Sequence, residues 1–435
     1  MLGNRVDLRE RFCRYLFTAM VSVASLICAA GSAVPLAYAQ VPVTTQVTGH
    51  ASLNTSVTPV ANGVEITGGT RPGPGGPNLF HSFGLFNVGT GDTANFVNDS
   101  ALATTNIIGR VTDARSDIFG TVKTTGFGAA NLWLINPRGF VFGPGATLDV
   151  GGSFHASTAD YLKFSDGNIF YADPARTSAL SVAPPSAFGF LSAPMGRIDV
   201  LAGTVDETTT PVTINSLLRV PEGKTLSLVG GTVNIGGQVD LNNDGMPDVS
   251  GPGYILAPGG HVNLVSVASA GEATFDPSNI NGSTGGPITG APGTRDISVS
   301  GFAQLGNINI TQGSIVDAKE VSISGGQLVI DTAAVYPGGF FLYNNLGVLS
   351  VSGVPDFSLP APDGGLVNVN ITGDVNIRGN TLVPVINDLS GILTLAGSLF
   401  AEVPGDAPNI RLNAHSLTVS GETADIQAAR FGPGK

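Results

Sequence analysis

Cysteine is almost absent from the sequence, and charged residues are scarce. Only Cys13 and Cys28 occur among 435 residues, and both lie close to the N-terminus. Charged residues make up 12% of the chain, with 20 basic against 32 acidic side chains and no basic cluster. Because proteins bind nucleic acid chiefly through clustered Lys and Arg, this composition excludes nucleic acid as an expected partner. The 42% of hydrophobic residues is still enough for a packed core.

Motifs for catalysis are missing as well. The sequence has no Gly-x-Ser-x-Gly nucleophile turn, no phosphate-binding glycine loop and no paired-Asp or Gly-His-Gly signature of polysaccharide hydrolases. The five histidines are scattered without metal-ligand spacing: His50, His81, His155, His261 and His415. The sequence therefore predicts no catalytic residue, no cofactor and no histidine metal site.

The first 39 residues have the features of a signal peptide. Four arginines form a basic N-terminal region, and residues 16–30 are largely apolar. Ala37 and Ala39 give the small-x-small pattern that precedes a cleavage site, so we expect the mature chain to begin at Gln40. Cleavage would remove both cysteines, so an exported chain would have no disulfides and would depend on burial for its stability. It would also change the net charge from −12 to −14, because the segment holds four Arg and two acidic residues.

Short apolar runs separated by turn residues fill residues 131–159. Runs of three or four residues alternate with breaks of two to four residues, too short for a helix or for a crossover connection. Asn136, Pro137 and Gly139 occupy the first, second and fourth places of a type I turn. Strands joined by tight corners are typical of a solenoid. Trp133 is expected in the core of this structure rather than as a platform for sugars.

A repeat of the form apolar-x-apolar-x-Gly supports the solenoid. It begins at Leu226, Ile297, Val321, Leu349, Val369, Leu393 and Leu417, mostly at spacings of 20 to 28 residues. The predicted fold is all-β, a right-handed parallel β-helix with about 24 residues per rung. At about 4.8 Å per rung the mature chain would form about 16 rungs and a rod about 75 Å long. Residues 164–194, which are richer in Pro and aromatics, are expected to leave the helix or to form irregular rungs.

Several motifs in order resemble the secretion domain of two-partner secretion exoproteins, the family of filamentous haemagglutinin. The family's Asn-Pro-Asn-Gly-Ile motif is matched by Asn136-Pro137-Arg138-Gly139-Phe140, and its Asn-Leu landmark by Asn78-Leu79 before Phe80-His81-Ser82-Phe83. Phe142-Gly143-Pro144, Asp149–Gly152 and Ala156–Ala159 match three further motifs. Arg138 departs from the family's Asn, a residue that tolerates positive φ better than Arg does.

The resemblance implies a function and a partner. It implies export through the periplasm of a Gram-negative cell and across the outer membrane by a partner β-barrel transporter, which recognises the unfolded N-terminal domain. Asn78, Leu79, Asn136, Pro137, Arg138 and Gly139 are the residues expected to carry that recognition. The expected organisation is a signal peptide over 1–39, a secretion domain over 40–270 and continuing β-helix over 271–435. The mature protein would be a secreted or cell-surface adhesin with a host-cell or surface carbohydrate or protein receptor.

Two other classes remain open at this stage. One is a β-helical polysaccharide lyase or hydrolase, which clustered charged residues on one outer face would favour. The other is an autotransporter-like passenger, which would carry its own C-terminal barrel. Residues 297–435 argue against such a barrel, because they keep the glycine-punctuated repeat of about 24 residues, whereas barrel strands would run about 10 residues between turns.

One acidic segment imitates a calcium loop. Asp240, Asn242, Asp244 and Asp248 supply oxygen atoms at alternating positions, and Gly245 permits a sharp turn. The twelfth position, where a bidentate Glu is expected, is Gly251. We therefore expect a solvated acidic turn rather than a calcium site.

Overall fold

The structure is a computed structural model that describes most of the chain beyond the N-terminal segment. The described residues are 42–203, 205–206, 213–214, 216–282, 293–331, 334–337, 366–379, 390–397, 409–421 and 424–431. Ala37, Ala39 and Gln40 lie outside these ranges, so the cleavage site stays a prediction. Among the described residues, no helix is long and apolar enough to cross a membrane.

The described chain is built from strands and one 3-10 helix, Ala51–Leu53. The strands of its first part are β1 (Gln46–Gly49), β2 (Thr55–Val60), β3 (Gly63–Gly68), β4 (Asn78–Asn87), β5 (Thr93–Val97), β6 (Asn106–Val111), β7 (Ser116–Ile118), β8 (Thr121–Thr125), β9 (Asn131–Ile135), β10 (Phe140–Phe142), β11 (Thr147–Asp149), β12 (Phe154–Ser157), β13 (Tyr161–Phe164), β14 (Ile169–Tyr171), β15 (Pro185–Phe190), β16 (Ile198–Val200), β17 (Val205–Asp206) and β18 (Thr213–Ile214). The remaining strands are β19 (Leu218–Arg219), β20 (Thr225–Gly230), β21 (Val233–Ile235), β22 (Gly237–Val239), β23 (Val249–Gly251), β24 (Tyr254–Ser266), β25 (Gly271–Thr274), β26 (Asn307–Thr311), β27 (Ile315–Gly325), β28 (Gln327–Asp331), β29 (Ala334–Pro337), β30 (Leu366–Ile371), β31 (Asp374–Arg378), β32 (Ser390–Gly397), β33 (Asn409–Asn413), β34 (Ser416–Ser420) and β35 (Ala424–Phe431).

Most of these strands form the three faces of one β-helix, and the strands within each face are parallel. This confirms the predicted fold class. The first face contains β4, β6, β9, β12, β20, the second half of β24, the second half of β27, β30 and β33. The second face contains β7, β10, β16, β21, β26, β28, β31 and β34. The third face contains β3, β5, β8, β11, β19, the first halves of β24 and β27, β29, β32 and β35. At the N-terminal end, β1 pairs antiparallel with β4 and β2 with β3, which covers two strand edges.

The rungs are close to the predicted length near the N-terminus and again between β26 and β28, where Asn307 pairs with Gln327. Asn78, Asn106, Asn131 and Ser153 follow one another along the first face at separations of 28, 25 and 22 residues. The next step, to Thr225, takes 72 residues, because the chain leaves the helix after β12 and returns at β16. Within the described ranges the first face therefore has nine parallel strands rather than the expected 16, a length of about 40 Å.

Copies of the glycine-ended pattern lie on strands, but not all on the same face of the helix. Its copies at Leu226, Val321 and Val369 lie on the first face, whereas the copy at Leu417 lies on the second. The copy at Ile297 was expected to be a rung strand, and this expectation was wrong. Ile297 packs in a second core outside the helix because that segment belongs to a long insertion. The copy at Leu349 lies outside the described residues.

Apolar side chains stacked at the same register position form the interior. One such column consists of buried residues that are neighbours from rung to rung: Leu79, Ile107, Leu132, Phe154, Leu226, Val262, Val321 and Val367. Successive side chains of a strand point to opposite sides, so the intervening residues of the first face point outward. Each buried side chain of this size contributes about 1.5–3 kcal/mol, which accounts for stability without disulfides.

An outer layer covers the outward side of the first face. We use this name for residues 160–195, 268–282 and 293–305, which include the antiparallel sheet β14-β13-β15-β25. The expected departure of residues 164–194 from the helix is thus confirmed. The layer and the face enclose a second core rich in aromatics: Phe80, Ile108, Trp133, Ile135, Leu162, Phe164, Phe170, Phe188, Phe190, Phe275 and Ile280 are among its members. Trp133 is fully buried, but it lies in this second core and not inside a rung.

Candidate functional site

A column of polar side chains runs along the outward side of the first face. It occupies one register position on seven successive strands: Asn78, Asn106, Asn131, Ser153, Thr225, His261 and Glu320. Every member is at most 5% exposed, because the outer layer covers the column. Buried polar groups must find hydrogen-bond partners, so this column fixes which backbone groups of the outer layer lie against it.

Asn78 begins the column and binds the outer layer directly. Its Nδ2 donates to the carbonyl oxygens of Ser181 and Ala183, both at 2.8 Å. Its Oδ1 accepts from Nδ2 of Asn106 at 2.9 Å. The Asn78 side chain is therefore fully used within the fold and is 1% exposed.

Asn106 links the column to the second core. Its Oδ1 accepts from Nδ2 of Asn131 at 3.2 Å and from the indole Nε1 of Trp133 at 3.0 Å. Asn131 in turn accepts the backbone N–H of Ser153 at 3.0 Å. Sequence reasoning missed these two asparagines, although Asn followed by two apolar residues opens β4, β6 and β9 alike. That repeated Asn start was the available signal.

Asn136 lies elsewhere, at the corner between the first and second faces. Its Nδ2 donates to the carbonyl of Ala114 at 2.9 Å and to Oγ of Ser116 at 3.0 Å, and its Oδ1 accepts from the backbone N–H of Arg138 at 3.0 Å. The side chain is 0% exposed. At the first place of a turn, Asn would be expected to make one local hydrogen bond, but two of its three bonds reach back to the preceding rung. Asn136 thus contributes more to holding neighbouring rungs together than the sequence suggests.

Gly139 and Arg138, which follow in the predicted turn, have different environments. The backbone N–H of Gly139 donates to the carbonyl of Asn136 at 2.9 Å, which closes the expected turn. Gly139 has φ +106°, and a Cβ there would lie 2.6 Å from the carbonyl oxygen of Arg197, so only glycine fits. The φ angle of Arg138 is not positive. Its side chain is exposed, and Nε lies 3.4 Å from the carbonyl oxygen of Thr112. The Arg that replaces the family's Asn is therefore accommodated without strain.

The six predicted recognition residues do not form one surface. Asn78 is beneath the outer layer, Leu79 is in the interior column, and the turn at 136–139 is at a corner. Only Pro137 and Arg138 of the six have appreciable exposure. What the buried members share is that solvent reaches them only when the chain is unfolded.

Two histidines are held neutral by burial. His155 stacks on Trp133 with ring centroids 3.8 Å apart and places Nε2 3.0 Å from Oδ1 of Asn281 in the outer layer. Desolvation lowers the pKa of His155 to about 3, although the hydrogen bond to Asn281 opposes the shift. His81 packs between Phe83 and Phe96, and desolvation lowers its pKa to about 3 as well.

The acidic segment proposed as a calcium look-alike connects β22 and β23. Both carboxylate oxygens of Asp240 accept backbone N–H groups, from Asn243 and Gly245. Asp248 accepts from the N–H groups of Leu241 and Asn242, and Asp244 accepts from that of Met246. These bonds stabilise the turn itself. In the described part of the chain, no group of three His, Cys, Asp or Glu side chains is arranged to hold a metal ion.

Comparison with known proteins identifies the family. The solved structures that are similar to the chain include two secretion domains. The HMW1 secretion domain from Haemophilus influenzae is 15% identical, with 90% of this chain and 99% of that chain covered and a TM-score of 0.34. The filamentous hemagglutinin secretion domain is 11% identical, with 90% and 100% covered and a TM-score of 0.43. No curated protein matches the chain. A family model described as TPS secretion domain matches residues 42–330, which is more than half of the sequence; the chain therefore belongs to the two-partner secretion family, whose members are secreted across the outer membrane.

Proposed function

We propose that this chain is exported across the outer membrane by a dedicated β-barrel transporter, which reads Asn78, Leu79 and the turn Asn136–Gly139 before the chain folds. The observation that carries this proposal is the burial of Asn78 and Asn136 in a chain of this family. A side chain with 1% or 0% exposure is not available to a partner once the rungs have formed. Recognition of these amides therefore requires the unfolded chain.

Folding then removes the recognition signal. The side-chain amide of Asn78 becomes hydrogen-bonded when residues 181–183 pack against it. The amide of Asn136 becomes hydrogen-bonded when its rung stacks on the preceding one. Folding outside the cell opposes return through the transporter, because each buried rung must be unfolded first. The mature protein acts as a secreted or cell-surface adhesin and not as an enzyme. No cofactor is part of the proposal.

The export test compares landmark asparagines with a structural one. Asn78→Ala, Asn136→Ala and Asn106→Ala each leave buried partners unsatisfied, and each should cost about 1–3 kcal/mol or more. We expect the two landmark variants to accumulate in the periplasm, with external protein reduced at least about tenfold. Asn106→Ala should be exported like the parent chain. The measurement is the ratio of external to periplasmic protein when each variant is co-expressed with its transporter.

Stability must be measured on the same variants. Purified protein is refolded from urea, and the free energies of unfolding are compared. If export falls in all three variants in proportion to their loss of stability, the landmarks are structural positions and the recognition proposal is wrong. Arg138→Ala provides an independent check, because this exposed side chain contributes little to the fold; reduced export at unchanged stability is the expected result.

A further inference from the structure

A cleft forms where the outer layer ends. The layer reaches β30, where Nδ2 of Asn368 donates to a carboxylate oxygen of Asp296 in the layer at 2.6 Å, whereas β33 extends beyond it. The resulting step encloses about 330 Å³. Val299 and Leu305 of the outer layer form one wall. The other wall is the end of β30 with the residue after it, and the end of β33 with the two residues after it. Its residues are Asn370, Ile371, Thr372, Asn413, Ala414 and His415.

The cleft combines aliphatic and neutral polar groups. Val299, Leu305, Ile371 and Ala414 supply apolar surface, and none of the eight lining residues is Asp, Glu, Lys or Arg. In a chain with a formal net charge of −12, a cleft without carboxylates is suited to an uncharged ligand. Its size is at the lower end of small-molecule sites, sufficient for one or two sugar rings.

The asparagines of this cleft differ from the bonded asparagine pairs of the first and second faces. Asn370 and Asn413 are partners in register on neighbouring rungs, as Asn78 and Asn106 are. Asn106 donates to Asn78, and Asn309 donates to Asn234 at 2.8 Å. In the described part of the chain the side chains of Asn370 and Asn413 make no such bond, and the same holds for the side chains of Thr372 and His415. Two parallel amides about one rung apart are therefore left to bind a ligand.

We infer that this cleft binds a neutral saccharide. An amide offers both a donor and an acceptor, which matches a pair of adjacent hydroxyl groups, and the aliphatic wall matches the C–H face of a sugar ring. The inference deepens the proposed function, since it names a ligand class for adhesion and rests on that role for its biological meaning. Binding itself is independent of export and is measured on purified protein.

The test is ligand-observed NMR titration of the purified mature chain with lactose, maltose, cellobiose and N-acetyllactosamine. We expect at least one of them to bind with a Kd of about 1 mM. Asn413→Ala and the double variant Asn370→Ala with Asn413→Ala should weaken that binding at least about tenfold. The matched control is Asn376→Ala, which removes an outward asparagine of the same rung on the second face and should bind as the parent does.

Three outcomes would overturn the inference. One is that none of the four disaccharides binds. Another is that binding is equally strong in the Asn413→Ala variant and the parent. The third is that only a charged analogue such as sialyllactose binds. Asn413 is exposed on β33, so loss of binding with an unchanged urea midpoint cannot be attributed to unfolding. Because export plays no part in this experiment, its result and that of the export test are independent.

Discussion

Replacing Trp133 with alanine is expected to lower the free energy of unfolding by about 3–5 kcal/mol. The indole is 0% exposed and stacks on His155, and its ring centroid is 5.7 Å from that of Phe275 and 5.8 Å from that of Phe188. Removing it leaves a cavity between the first face and the outer layer and takes a donor from Asn106. The layer should loosen more than the rungs do, because the interior column does not contact Trp133.

Urea unfolding followed by circular dichroism measures this loss, and limited proteolysis locates it. We expect early cleavage within residues 160–195 while the rungs stay protected. Trp133→Phe should cost less, because it keeps an aromatic ring and loses one hydrogen bond of about 1 kcal/mol. Leu191→Ala is the control, since Leu191 is 42% exposed in the same layer. A Trp133→Ala protein as stable as the parent would show that the second core contributes little.

Acid is expected to destabilise the fold strongly below neutral pH. The pKa values of His81 and His155 are about 3 in the folded state, against about 6.5 in an unfolded chain. A lowered folded pKa contributes stability that is fully present above pH 6.5 and is lost as the pH falls from 6.5 towards 3, because only the unfolded state binds the proton there. Each histidine should reduce the free energy of unfolding by about 1.4 kcal/mol per pH unit in that window, or about 5 kcal/mol for each ring over the whole window.

Urea unfolding at pH 7, 5 and 4 tests this slope. His155→Gln keeps an amide that can bond to Asn281 and removes the titrating group, so its slope should fall by about half of the histidine contribution. His415→Gln, the same substitution at an exposed histidine, is the matched control. A parent protein equally stable at pH 7 and pH 5 would contradict the buried neutral state of both rings.

The sequence was sufficient for the β-helix because its rungs follow local rules. Alternating apolar residues specify the interior, and turn residues such as Asn136, Pro137 and Gly139 specify the corners. Both the length of a rung and the position of its corners can therefore be read from the amino-acid sequence. The described residues form fewer rungs than expected, since insertions of tens of residues interrupt the period. The copy of the repeat at Ile297 shows the same limit: an alternating apolar pattern does not reveal which core it packs against.

The outer layer and its contacts could not be derived from the pattern. Asn78 bonds to residues 103 and 105 positions away, and His155 to a residue 126 positions away. Contacts between residues so far apart in the sequence depend on how an antiparallel sheet folds back over the first face. No local motif predicts that arrangement. The landmarks were therefore found as motifs, whereas their burial, on which the proposed recognition before folding rests, required the structure. The domain boundary after residue 270 stays a prediction.

We propose that the transporter binds the chain only before it folds. The direct measurement is capture of the purified mature chain by the transporter's periplasmic domain at increasing times after dilution from urea. Fluorescence of Trp133, the only tryptophan, follows folding in the same samples. Capture is expected to be maximal at the earliest times and to decay with the rate constant of the fluorescence change. Equal capture of fully folded and freshly diluted protein would contradict it.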